Sequence, residues 1–148
     1  MLAMLGVGIW ALQSGGRAIG LGPAVFITAM TAGGILGLRG PALPLLEAGV
    51  ALSVLFVGLL IITEGRMPQR AALATIAAAA VFHGYAHGSE LPASASPLFY
   101  SAGFVVATTG IHLAGTAAAT ALRRAAGLLP LHALGAALAG SGIVLVFF

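Results

Sequence analysis

Long apolar runs separated by short turns that carry the arginines limit the folds open to this chain. Hydrophobic residues make up 60% of the sequence and charged residues 6%, and the mean hydropathy is +1.12. Soluble domains carry about 25% charged residues, so this composition predicts an integral membrane protein. Lipid offers no partner to backbone polar groups, so the runs are expected to cross as α-helices. The predicted fold class is all-α, a membrane helical bundle forming one domain over residues 1–148.

Six apolar runs predict about six transmembrane helices, at residues 1–13, 23–38, 44–63, 71–89, 98–122 and 128–148. A spanning helix needs about 20 residues, so the first run is too short to cross. We interpret it as the end of a truncated helix whose beginning precedes this chain, with an interfacial segment or a core stub as the alternative. Pro23 is expected to open the second helix, because a first-turn proline needs no hydrogen-bond acceptor.

The arginines predict the orientation of the bundle. Alternate turns place five of them on one side and only Arg39 on the other. The five are Arg17, Arg66, Arg70, Arg123 and Arg124. Positive residues concentrate in cytoplasmic loops, so both termini are predicted to face outward, away from the cytoplasm. Glu47 and Glu90 then lie together at the outer surface.

Small residues at helical spacing predict how the helices pack. Helices in lipid associate through close backbone approach at Gly and Ala. The expected seams are Ala80, Gly84 and Gly88; Gly33, Gly34 and Gly37; Gly110 and Ala114; and Gly135 and Ala139. Such seams are ordinary in membrane bundles and carry no chemistry of their own.

His83, His87 and Glu90 are the candidate site. Their spacing of i, i+4 and i+7 places the three side chains within about 60° of arc on one helix face. Ionisable groups inside a membrane are costly and indicate function. The chain has no Cys, so a metal would be held by nitrogen and oxygen, and imidazole with carboxylate suits Ni²⁺, Co²⁺, Zn²⁺ or Cu²⁺. The alternative is a structural hydrogen-bond cluster.

Two further residues are candidate metal ligands. Glu47 either coordinates a cation or lies among the lipid headgroups. His112 falls near mid-membrane, with Thr108 and Thr116 on the same face, so it either lines a conduit or joins helices by hydrogen bonds. His132 is expected to be a partly solvated residue without a role.

The same sequence argues against several other functional classes and leaves one open. The basic charge rests on arginines in turns, which does not indicate nucleic-acid binding. No nucleotide motif is present, and a single His-x-x-x-His argues against a multi-histidine membrane enzyme, so no enzyme activity is expected. A b-type cytochrome that ligates haem through a pair such as His83 and His112 stays open. Oligomeric state cannot be read, and a homo-oligomer is possible.

The run from Phe82 to Glu90, F-H-G-Y-A-H-G-S-E, resembles the F-H-G-x-A-H-G-x-E signature of the HupE/UreJ family of nickel and cobalt permeases. Residues 2–8, 47–53 and 103–108, followed by His112, are also similar to the family. The resemblance implies that His83, His87 and Glu90 bind the metal. It also implies a secondary permease without a prosthetic group that moves Ni²⁺, or Co²⁺, into the cytoplasm for hydrogenase or urease. The family's other signature, H-P-x-x-G-x-D-H, is absent from these residues.

Overall fold

A computed structural model describes residues 1–92 and 94–147, and the regular structure of these residues is helical. The helices are α1 (Leu2–Ser14), α2 (Ala18–Gly37), α3 (Leu46–Thr63), α4 (Gln69–Ser89), α5 (Pro97–Ala126) and α6 (Leu129–Phe147). Among the described residues, α2, α3, α5 and α6 are long and apolar enough to cross a membrane. The predicted all-α membrane bundle is confirmed.

The two remaining helices fall short of a clear membrane span for different reasons. α1 has 13 residues, which reach only about 20 Å. α4 has 21 residues, but its last turns carry two histidines and two glycines in place of apolar side chains. It lies parallel to α2, because Gly33 is against Val81 and Gly37 is against Tyr85. α4 therefore occupies the same membrane layer as α2.

Two predicted boundaries are wrong. α2 begins at Ala18, so Pro23 lies inside the helix and does not open it. The first turn is retained because Gly22 packs directly on the ring of Trp10, which is buried. α5 continues past the predicted end at residue 122, with Arg123 and Arg124 in its last turn. Thirty residues reach about 45 Å, so this end of α5 projects beyond a hydrocarbon core of about 30 Å.

α1 lies in the middle of the bundle. It contacts α2, α3, α5 and α6, and eight of its 13 residues are buried. Gly6 brings it against Val57 of α3 and Leu138 of α6. The alternative of an interfacial segment is therefore wrong, because an interfacial helix keeps one face in water.

The α2–α4 contact is made by glycines facing backbone. A Cβ on Gly84 would overlap the carbonyl oxygen of Met30, and one on Gly88 would overlap that of Gly34. At these glycines main chain lies directly against main chain, which allows a close approach of the two helices. The two predicted seams, on α2 and on α4, are confirmed and face each other.

Other helix pairs also pack through glycines that lie against backbone. Gly8 of α1 and Gly115 of α5 each lie against the backbone of the opposite helix. Gly58 of α3 faces Gly135 of α6, which confirms the predicted seam at Gly135. The seam predicted at Gly110 is wrong, because nothing lies within 4 Å of that glycine. Spacing identified the small residues on α5 but not the face that meets a neighbour.

We expect Gly84→Ala to destabilise the bundle. The new methyl group would overlap the Met30 carbonyl, and overpacking of this kind costs about 1–3 kcal/mol. Gly110→Ala is the matched control, since its methyl would enter open space and replacing glycine inside a helix gains up to about 1 kcal/mol. Unfolding in detergent, followed by the fluorescence of Trp10, measures both changes. Equal stability of the two variants would contradict the backbone contact.

Candidate functional site

The candidate residues gather where α4 ends and α3 begins, here called the histidine end of the bundle. The hydroxyl of Tyr85 donates to the Pro41 carbonyl at 2.6 Å, which ties the connection between α2 and α3 to the last turns of α4. The same turns carry His83 and His87. The opposite end, whose turns carry the other five arginines, is here called the arginine-rich end.

His83 is buried, with 5% of its surface exposed. Its Nε2 lies 2.7 Å from the Oγ of Ser53 on α3, and the Ser53 hydroxyl donates its proton to the Val50 carbonyl. A hydroxyl has one proton to give, so the hydrogen bonds assign the His83 proton to Nε2, which donates to Ser53. Nδ1 of His83 is then the nitrogen with a free lone pair, the form in which imidazole binds a metal.

His87 lines a cleft at the histidine end between α2, α4 and α5. The cleft encloses about 480 Å³ including its open mouth. Met30, Gly34 and Tyr100 are among its other lining residues, and the ring of Phe104 lies over His87 with centroids 4.1 Å apart. His87 is half-buried, so its imidazole is reached from outside the bundle through this cleft.

The two carboxylates stand at the surface of the same end. Glu90 is exposed and follows α4 directly, with its backbone N–H bonded to the Ala86 carbonyl. Glu47 is exposed in the first turn of α3, where its negative charge also interacts favourably with the positive end of the helix dipole. Glu47 and Glu90 are accessible to a hydrated cation arriving at this end.

The structure does not bring three of the predicted ligands together. Within residues 1–92 and 94–147, no group of three His, Asp or Glu side chains is placed to hold one metal ion. His83 turns toward α3 and His87 toward α5, although one turn separates them. The metal-binding roles of His83, His87, Glu90, Glu47 and His112 therefore stay predictions, and the arrangement is a series of separate positions.

His112 lies deeper, with 1% of its surface exposed. Its Nδ1 is 2.8 Å from the Thr108 carbonyl of its own helix. A carbonyl only accepts, so the proton is on Nδ1 and Nε2 carries a lone pair. Nε2 is buried without a hydrogen-bond partner. A backbone carbonyl on one nitrogen and a bare second nitrogen is the usual arrangement of a metal-binding histidine.

Phe26 packs against both buried histidines. Its ring centroid lies 6.0 Å from that of His83 and 5.1 Å from that of His112, and its side chain is completely buried. The cytochrome alternative, which pairs these two imidazoles, stays a prediction.

The threonines beside His112 contact other helices. Thr108 points its hydroxyl at the sulfur atoms of Met4 and Met30, each 3.7 Å away. The single hydroxyl proton of Thr116 is shared between the Gly8 carbonyl of α1 at 3.1 Å and the His112 carbonyl at 3.0 Å. The two threonines therefore join α5 to α1 and α2. His112 itself bonds only within α5, so its role as a conduit residue or as an inter-helix bond stays a prediction.

Three contributors to the site were not predicted. Ser53 had a signal, since it is the single polar side chain in residues 51–62, and a lone serine in an apolar helix often faces a polar partner. The sequence carried no such signal for Phe26 and Phe104, because an aromatic residue in an apolar run usually indicates core packing.

Comparison with known proteins finds clear relatives. A model of the HupE / UreJ protein family matches residues 1–145. The protein HupE of Rhizobium leguminosarum bv. viciae is 38% identical over 146 residues, which make up 99% of this chain and 76% of that protein. No solved structure matches the chain.

We expect Ser53→Ala to destabilise the protein by about 1–3 kcal/mol, because the buried Nε2–H of His83 would lose its acceptor. Ser141→Ala is the matched control, since that hydroxyl bonds only to the Ala137 carbonyl of its own exposed helix face, and a change within about 0.5 kcal/mol is expected there. Thermal unfolding in detergent measures both. A Ser53→Ala variant as stable as the control would show that the His83 contact contributes nothing.

Proposed function

The chain belongs to the HupE / UreJ protein family, and from that premise we propose that it is a permease for a divalent transition-metal ion. Ni²⁺ is the ion proposed first and Co²⁺ the second. The proposed location is the inner membrane of a bacterium, with the arginine-rich end in the cytoplasm and both termini periplasmic. There the metal would supply the maturation of hydrogenase or urease. The proposed partners are the ion and the lipid bilayer.

The position of His87 is the observation that supports this function best. It lines an open cleft at the histidine end, while His83, one turn earlier in the same helix and further from that end, is buried. An ion entering the cleft would therefore meet an accessible imidazole before a buried one. Neutral imidazoles are ligands that Ni²⁺ and Co²⁺ prefer and that Mg²⁺ and Ca²⁺ do not.

The surface carboxylates would act before the histidines. Glu47 and Glu90 are both exposed at the histidine end, and negative charge at a mouth raises the local concentration of cations. The ion would then exchange part of its hydration for His87 in the cleft. Each position offers only one or two protein ligands, which holds a cation weakly enough for it to move on.

Beyond the cleft, the path meets the core of the bundle. Nδ1 of His83 and Nε2 of His112 are the free nitrogens that the hydrogen bonds leave there. The buried ring of Phe26 packs against both of these histidines. An ion passing from one to the other would therefore pass beside Phe26.

His87→Ala and His83→Ala are each expected to lower Ni²⁺ uptake at least tenfold. The reason is that each removes the ligand nitrogen at one step of the path. Uptake of radioactive Ni²⁺ into proteoliposomes that hold equal amounts of each purified variant measures the change. Leu113→Ala is the control, because Leu113 is exposed to lipid beside His112, and its uptake should match that of the unmodified protein. Normal uptake by both histidine variants would reject the proposed path.

A further inference from the structure

A second pair of possible metal ligands meets at the arginine-rich end. Glu64 directly follows α3, and His132 lies in the first turns of α6. Nε2 of His132 is 3.1 Å from Oε2 of Glu64, yet the two atoms lack the alignment of a hydrogen bond. Their side chains are 34% and 36% exposed, although the Nε2 atom of His132 is itself buried. Carboxylate and imidazole groups that converge without bonding to each other can share a cation.

The backbone at Glu64 has an uncommon conformation. Its φ of 42° lies in the left-handed region, which is uncommon for a residue other than glycine. The chain places a glutamate there although glycine, at Gly65, follows immediately with a φ of 74°. Strain of this kind persists where the surrounding structure or the function requires the residue.

Gln13 is a third polar side chain at the same end of the bundle. Both atoms of its amide group are buried without a hydrogen-bond partner. Gly6, two turns earlier on α1, contacts Val57 of α3 and Leu138 of α6, so the end of α1 lies between the ends of α3 and α6. An amide oxygen without a partner is available as an additional oxygen ligand.

We infer that Glu64 and His132 form a separate binding site for a divalent transition-metal ion, at the same end of the bundle as the unpartnered amide of Gln13. The ligand chemistry, one imidazole and one carboxylate with water, is that preferred by borderline cations. Arg17 and Arg66 in the neighbouring turns carry charge that opposes a bound dication, so the site holds the ion weakly. Its role as the release site at the end of transport rests on the proposed function, but the binding itself does not.

The test uses the full chain in detergent, with Co²⁺ alone as the probe and visible absorption as the readout. His83→Ala, His87→Ala, Glu47→Gln and Glu90→Gln are introduced together, so that binding at the histidine end does not contribute. In this background, Glu64→Gln and His132→Gln are each expected to weaken Co²⁺ binding at least tenfold. Arg66→Gln, in the same turn as Glu64, is the control and should bind Co²⁺ at least as tightly as the background.

Glu64→His separates a metal site from an ordinary ion pair. It removes the charge attraction to His132 but supplies a second imidazole, so a metal site should keep Co²⁺ binding within about threefold. Unchanged affinity in Glu64→Gln would overturn the inference, and so would loss of binding in both Glu64 variants. Trp10 fluorescence confirms that each variant is folded. Because the histidine-end ligands are already absent, the result does not depend on whether His83 and His87 transport an ion.

Discussion

The contact of main chain with main chain between α2 and α4 determines where every other part of the site can lie. Lipid gives helices no hydrophobic reason to associate, so the distance between them depends on small residues. Gly84 and Gly88 face the backbone of α2 at Met30 and Gly34, and they alternate along the chain with His83 and His87. The glycines fix the position of the helix, and the histidines are thereby directed toward α3 and α5. The packing and the proposed chemistry of this segment cannot be varied independently.

The two buried histidines donate hydrogen bonds through opposite ring nitrogens. A neutral imidazole has one donor and one acceptor, and in each ring the donor is bonded and the acceptor is left. In His83 the donor is Nε2, which bonds to Ser53 of α3. In His112 it is Nδ1, which bonds to the Thr108 carbonyl. Each bond fixes the orientation of its ring, so the two lone pairs are held in place, and both rings pack against Phe26.

The helices could be predicted from the sequence because hydrophobic runs and arginine-bearing turns report directly on the lipid environment. Four of the six helices begin and end within two residues of the predicted bounds. Pro23 and Gly110 could not be placed, because their positions depend on which neighbour a helix meets, and spacing along one helix carries no information about that. The same limit explains the site: His83 and His87 share a helix face in the sequence, but Ser53 and Phe104 on other helices draw the two rings apart.

The charges of the bundle differ between its ends in a way that bears on direction. Glu47 and Glu90 are exposed at the histidine end with Arg39, while Glu64 and the other five arginines lie at the opposite end. A dication is thus attracted more strongly where the cleft opens than where the arginines lie. In the proposed orientation the arginine-rich end faces the cytoplasm, so one feature of the sequence would set both topology and electrostatic direction. Weak retention at that end would favour release there, and a negative potential on that side would supply the opposing attraction that draws the cation across.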